Sequence, residues 1–188
     1  MKRVSSIVEG HGEERAVPAL IHRVAAALGK ETPHVLPPIR VRIGRFLNDE
    51  TEFGEKLDLA ANQTLGDGAV VVLFDNEDGC PAVDAPKLLH KMRNRRADVP
   101  ITLVQAFREY ETWFLYSLES LQPLLPNWTP ATTVNTMRRD AKGQIAHLMG
   151  EKYEPVIHQV QLTRLLDIAA ARNCDSFDKF CREMDIVL

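Results

Sequence analysis

The sequence predicts an α/β protein, with a mainly parallel sheet flanked by helices and a helical extension at its C-terminal end. Three observations carry this expectation. Short β-branched runs alternate with stretches of helical periodicity up to Phe107. The central run Ala69-Val70-Val71-Val72-Leu73-Phe74 is apolar without alternation, the pattern of a strand covered on both faces. Beyond Trp113 the strand signal stops and only helical patterns remain.

The elements follow in order. Val4 to Val8 reads as a strand that ends at Glu9-Gly10-His11-Gly12. Val17, Leu20, Ile21, Val24 and Leu28 then recur at helical spacing up to Gly29, with Pro18 placing the start near Arg15 to Val17. Val35 to Ile43 reads as extended, interrupted by Pro37-Pro38, and a helix is expected from about Thr51 to Leu65. After the central strand comes a helix over about Ala85 to Arg96, then a strand from Ile101 to Phe107. The resulting β-α-β-α-β-α-β order implies parallel pairing through crossovers. Trp113 to Leu121 reads as helical, Pro123, Pro126 and Pro130 mark a connector, and helices are expected near 141–149, 159–171 and 176–184. The expected organisation is an α/β domain over 1–122 with a helical extension over 123–188 packed on it.

Composition bounds the function. The chain has 188 residues, 45% hydrophobic and 26% charged, with a formal net charge of −3, so a strongly basic DNA-coating domain is excluded on bulk charge. The apolar runs are far shorter than the roughly 20 residues of a membrane helix, so no membrane partner is expected. Three cysteines without a framework spacing, and strand-like sequence directly after Met1-Lys2-Arg3, lead to the expectation of a cytoplasmic protein.

Ligands of open parallel sheets bind beyond the carboxyl ends of the strands. The acidic residues collect there: Glu9 after the first strand, Asp75, Glu77 and Asp78 after the central one, Glu109 and Glu111 after the next. Six carboxylates on one rim repel each other unless a cation is present, and a hard ion such as Mg²⁺ (or Mn²⁺) suits such ligands. That chemistry is metal-assisted phosphoryl transfer. The plain alternative is acidic residues that open helices, which is the reading given to Glu13 and Glu14.

Val8-Glu9-Gly10 at the first strand end, and Leu73-Phe74-Asp75-Asn76-Glu77-Asp78 at the central one, together resemble the Toprim fold of topoisomerases, bacterial primases and OLD-type nucleases. The block Gln105 to Leu115, with Glu109-Tyr110-Glu111, is similar to the E-x-E-x-x-hydrophobic block of a Toprim-like family described beside ATPase genes; Lys142, Tyr153 and Ser176-Phe177 extend that likeness. The resemblance implies a Toprim-like fold and a Mg²⁺-dependent site. Glu9 would act in acid–base or metal-associated chemistry, Asp75 would be the principal ligand, and Glu109 and Glu111 would be further acidic positions where a second metal can sit. It also implies an ATPase partner. The sequence departs from the family's D-x-D by placing Glu77 second, and one added methylene moves a carboxylate by about 1.5 Å; Asp78 is the candidate substitute.

A substrate surface for nucleic acid is sought among basic residues. Lys87, Lys91, Arg93, Arg95 and Arg96 lie in a stretch free of acids, and Arg40 and Arg42 alternate on the second extended segment. The plain reading of the 87–96 group is a solvated helix end. Lys142 is read either as a stabiliser of a phosphoryl transition state or as a solvated helix lysine. Gly10 and Gly12 serve the tight turn, His11 reads as an exposed turn residue, and the Gly-Lys-Ser/Thr ending of a phosphate loop is absent. Cys174 and Cys181 have a poor zinc spacing. A small-molecule phosphohydrolase of the haloacid-dehalogenase type ranks below the other readings, because that chemistry wants an early D-x-D-x-T, whereas Asp75 comes third among the strands and lacks the threonine. Two readings therefore stand: a metal-dependent nuclease acting with an ATPase partner, or a non-catalytic Toprim-scaffold subunit that regulates one.

Overall fold

The computed structural model describes residues 1–76 and 81–188. Glu77, Asp78 and Cys80 lie outside the described residues, so the ligand readings given to Glu77 and Asp78 have no counterpart below.

The chain runs β1 (Arg3–Val8), α1 (Glu13–Ala27), β2 (His34–Val35), β3 (Ile39–Arg40), α2 (Ile43–Asn48), α3 (Glu50–Gln63), β4 (Gly68–Asn76), α4 (Pro81–Arg95) and β5 (Ile101–Phe107). It continues through α5 (Thr112–Leu115), α6 (Leu118–Leu121), a 3₁₀ turn, α7 (Ala141–Met149), α8 (Pro155–Leu165), α9 (Ile168–Ala171) and α10 (Asp175–Val187). The sheet order is β2-β1-β4-β5, with β3 also on β1, and every pairing is parallel. The α/β class and the helical C-terminal part are as the sequence predicts.

Side-chain alternation on β4 divides the core. Ala69, Val71 and Leu73 face one side, with Val4, Val8, Val104 and Ala106, under α1 and the C-terminal helices. Val70, Val72 and Phe74 face the other, with Ile7 and Leu103, under α2, α3 and α4. Both faces are covered, which is why the run shows no polar alternation.

The differences from the expected elements have local causes. The extended segment 35–43 becomes two short strands because Pro37 and Pro38 have no N–H to give to β1. Asp49 caps α3 by accepting from the Thr51 and Glu52 N–H groups at 3.0 and 3.1 Å, which starts that helix at Glu50. The 113–121 helix is two single turns, α5 and α6. The 159–171 helix is broken at Leu166-Asp167, where Asp167 caps α9 through the Ala170 N–H at 3.0 Å.

The C-terminal helices share the core of the sheet. Trp113, Phe177 and Phe180 are fully buried beside Val104 and Ala106 in one cluster. Ser176 Oγ accepts from Trp113 Nε1–H at 2.9 Å and from the Phe107 N–H at 3.1 Å, and Lys179 Nζ donates to Leu103 O at 2.7 Å. These bonds tie α10 to β5. A fragment of residues 1–122 is expected to unfold without a cooperative transition and to bind hydrophobic dye, because the α1 face of its sheet loses its cover. A sharp thermal transition of that fragment would contradict this.

Candidate active site

Asp75 has the parity of Val71 and Leu73 on β4, so its side chain emerges on the α1 face, two residues past the position paired with the end of β1. Its Oδ1 accepts from the Tyr110 N–H at 2.7 Å. That bond exists because the chain turns sharply after β5: Arg108 has φ +65°, and the Glu109 N–H closes on Phe107 O at 2.9 Å. A left-handed arginine is costly by roughly 1–2 kcal/mol and persists only where its surroundings impose it.

The same turn delivers Glu109 and Glu111 to the rim. Glu111 is 1% exposed. Its Oε1 accepts from the Tyr153 hydroxyl at 2.8 Å, while Oε2 is buried with no hydrogen-bond donor among the described residues. Glu109 Oε2 accepts from the Lys142 backbone N–H at 3.1 Å and so caps α7, a task Asp140 at the N-cap does not perform with its side chain.

Lys142 sits among these acids. Its Nζ lies 3.7 Å from Asp75 Oδ2, 3.4 Å from Glu109 Oε1 and 3.6 Å from Glu111 Oε2. Burial pulls the Lys142 ammonium down, but Glu111, Asp75 and Glu109 outweigh it and hold the group above the usual lysine range. Burial, reinforced by Glu111 and Glu13, pushes the Asp75 carboxyl well above the usual range, against Lys142 and the Tyr110 N–H. Burial likewise raises Glu111, opposed by Lys142 and Tyr153.

A cavity of about 580 Å³ opens over this rim, lined on one side by Asp75, Glu111 and Lys142 and on the other by Glu9, Glu13 and Gln159. Glu13 is the residue that sequence reasoning missed. The sequence expectation for it is a first-turn helix residue; it does open α1, but it is 4% exposed and its Oε2 accepts from the Glu9 and Gly10 N–H groups, both at 3.0 Å. Burial raises its carboxyl to about 7, against those two bonds. The signal was present: Glu13 stands four residues before Val17, on the buried stripe that continues through Leu20, Ile21 and Val24.

The structure therefore brings Glu9, Asp75, Glu111 and Lys142 to one cavity, with Glu109 bonded to Lys142 behind it. Most of the basic residues on α4 and just after it are engaged elsewhere. Arg95 pairs with Asp58, Arg96 with Asp98 and Asp58, and Arg93 donates to Ile101 O. Lys91 bonds Glu50 and lies 4.2 Å over the Phe53 ring. Lys87 and Arg42 are exposed, and Arg40 lies 3.8 Å from Glu14. As placed, no group of three ligating side chains among the described residues is close enough to hold a metal ion. The donor chemistry nevertheless fits a hard cation, since the groups are carboxylate oxygens and Glu111 Oε2 accepts no hydrogen bond among the described residues.

Residues 8–185 match the family model described as Domain of unknown function (DUF4276). The chain belongs to the DUF4276 family. This match takes in both strand ends, the Glu109-Tyr110-Glu111 turn, α7 and α8, so the whole cavity is part of the family's domain. No curated protein matches this DUF4276 chain. Among solved structures it is similar to the C-terminal region of the Burkholderia pseudomallei OLD protein, over 99% of this chain and 96% of that one, at 16% identity and a TM-score of 0.43. A superposition that loose does not align individual residues. No helix among the described residues is long and apolar enough to cross a membrane.

The Glu13 geometry has a measurable consequence. Between pH 4.5, the ordinary glutamate value, and about 7, the unfolded chain ionises while the folded chain keeps its proton. Stability therefore falls as pH rises across that window, by on the order of 2–3 kcal/mol. Glu13→Gln keeps an oxygen for the two N–H donors and cannot ionise. Its melting temperature is expected to exceed that of the wild type at pH 8 and to meet it near pH 4.5. An equal difference at both pH values would refute the assignment.

Proposed function

We propose that this DUF4276 protein is a divalent-metal-dependent phosphodiesterase, a nuclease of Toprim-like design, whose site is the carboxylate cavity at the carboxyl ends of β1, β4 and β5. The observation that carries this reading is the excess of buried acid over base. Asp75, Glu109 and Glu111 surround the Lys142 ammonium, with Glu13 across the cavity. Structural ion networks usually balance their charges, because burying an unmatched carboxylate costs several kcal/mol. A site that must bind a cation does not need to balance them.

Asp75 would be the principal ligand of Mg²⁺ or Mn²⁺, with Glu9 and Glu13 on one flank and Glu109 and Glu111 on the other. Such an ion, when bound, activates a water and neutralises charge on a phosphate. The remaining work belongs to the chain. Lys142, held by the acids but 41% exposed, would give its ammonium to the charge that develops on a phosphoryl oxygen. Glu13, whose carboxyl titrates at about 7, would take or return a proton near neutral pH. Tyr153 keeps Glu111 oriented through its hydroxyl. Nucleic acid is the proposed substrate, and an ATPase the proposed partner, on the Toprim resemblance of the motifs.

One observation favours the second reading, a non-catalytic scaffold subunit of an ATPase complex: Lys142 already bridges the acids, and no metal-ready triplet stands among the described residues. A cleavage assay separates the two. Supercoiled plasmid, linear DNA and single-stranded RNA are incubated with Mg²⁺ or Mn²⁺, with and without chelator. The nuclease reading predicts metal-dependent cleavage that Asp75→Asn abolishes and Glu9→Gln lowers by about 10²-fold or more, in variants that melt like the wild type. Cleavage unchanged in Asp75→Asn would refute it.

A further inference from the structure

The cavity has a wall that the metal chemistry does not use. α8 meets the start of α1 so closely that a Cβ on Gly12 would lie 2.1 Å from Gln159 Oε1 and 2.7 Å from Pro155 O. Gln159 is 3% exposed and lines the cavity, and among the described residues its side-chain amide has no hydrogen-bond partner. The amide stands at the cavity wall with hydrogen-bonding capacity that no neighbour among the described residues takes up, so it is able to bond to an occupant there.

The same wall holds the N-terminus of a 15-residue helix. α1 has Gly12 at its N-cap and no side-chain cap. Its ladder begins with the Arg15 and Ala16 N–H groups, both on Gly12 O, so the amides ahead of them have no place in it. The Glu13 carboxylate bends back to the Glu9 and Gly10 N–H groups rather than covering that end. A free helix N-terminus attracts anions.

Val156 lines both this cavity and an adjoining groove of about 580 Å³ between α1 and α8. The groove carries Arg15 and Arg164, both exposed, and neither guanidinium has an ion-pair or hydrogen-bond partner among the described residues. Arg95 at the end of α4 is paired with Asp58, Arg96 just after it with Asp98, and Arg93 donates to Ile101 O.

We propose that Gln159 and the N-terminus of α1 receive a phosphate of the substrate, and that Arg15 and Arg164 hold the phosphates that follow it along the α1–α8 groove, so the substrate is a single strand of nucleic acid laid there and not on α4. The proposal rests on the nuclease reading of the same cavity and adds the path of the strand. Aliphatic Val156 and Val160 between the two arginines give sugars and bases an apolar floor.

The test is fluorescence anisotropy of labelled 12-nucleotide single strands, DNA and RNA, with Mg²⁺ in an Asp75→Asn background that suppresses turnover. Adding Arg15→Ala and Arg164→Ala together is expected to lower the slope of log affinity against log salt by about 1.4, since each phosphate contact on a single strand contributes about 0.7. Adding Gln159→Leu instead should weaken binding about tenfold with the slope kept. If Gln159→Leu does not fold, Gln159→Glu, of the same shape but repelling an anion, is expected to abolish binding. Affinity and slope unchanged in the arginine pair and in the Gln159 variant would overturn the proposal, as would no binding of either oligonucleotide.

A second readout keeps the two readings apart. The wild type, with Asp75 intact, is assayed with Mg²⁺ or Mn²⁺ for hydrolysis of bis(p-nitrophenyl) phosphate, which has no following phosphates and so reads the cavity without the groove. Hydrolysis without oligonucleotide binding at the groove would leave the nuclease reading standing and remove the path. Binding that follows the predicted pattern with no hydrolysis of any substrate would do the reverse.

Discussion

The contact between Lys142 and the acids of the β4 and β5 ends is the constraint on which the rest of the molecule depends. One ammonium at 3.4–3.7 Å from Asp75, Glu109 and Glu111 joins α7 to two strands that would otherwise end in mutual repulsion. Glu109 reinforces the joint by capping α7 at the backbone of the same lysine. The left-handed Arg108 is the local cost of this arrangement, because only a sharp turn after β5 lets the Tyr110 N–H reach Asp75 while Glu109 and Glu111 face the lysine. Removing the cation from such a cluster leaves buried charge without compensation, a loss on the order of 3–5 kcal/mol.

From that joint the two layers of the α1 face follow. α7 and Tyr153 bring α8 to the start of α1, and the closeness of the approach requires glycine at position 12. The cavity is what remains between these helices and the strand ends. It combines raised carboxyl affinities for protons with an uncapped helix N-terminus, so its acidic and anion-attracting sides stand across one space. A metal ion and a phosphate are a natural pair of occupants for such a division.

Much of this was legible in the sequence, for physical reasons that differ by element. β4 was readable because a strand buried on both faces has no alternation to confuse, and Asp75 because a charge directly after such a run must leave the core. The parallel pairing followed from the alternation of periods, whereas the order of the strands in the sheet did not. Glu13 escaped because acids are common in first helical turns, although its register with Val17 placed it on the buried stripe. Lys142 was legible only through family resemblance, since its partners are about thirty or more residues away along the chain and pattern reading sees neighbours. The α4 basic cluster looked free of acids in sequence, yet Asp58 and Glu50 come to it from α3 across the fold. The groove arginines, Arg15 and Arg164, lie far apart in sequence and form no cluster until α1 meets α8.

The central claim is that the buried acids are arranged for a cation and share protons until one arrives. Calorimetric titration of the protein with Mn²⁺ at pH 7, in two buffers of different ionisation enthalpy, tests it most directly. The account predicts saturable binding accompanied by proton release, weakened at lower pH and lost in Asp75→Asn, because Asp75, Glu111 and Glu13 all hold protons more tightly than ordinary carboxylates. No binding by the folded wild type, or binding that releases no protons and survives Asp75→Asn, would contradict it.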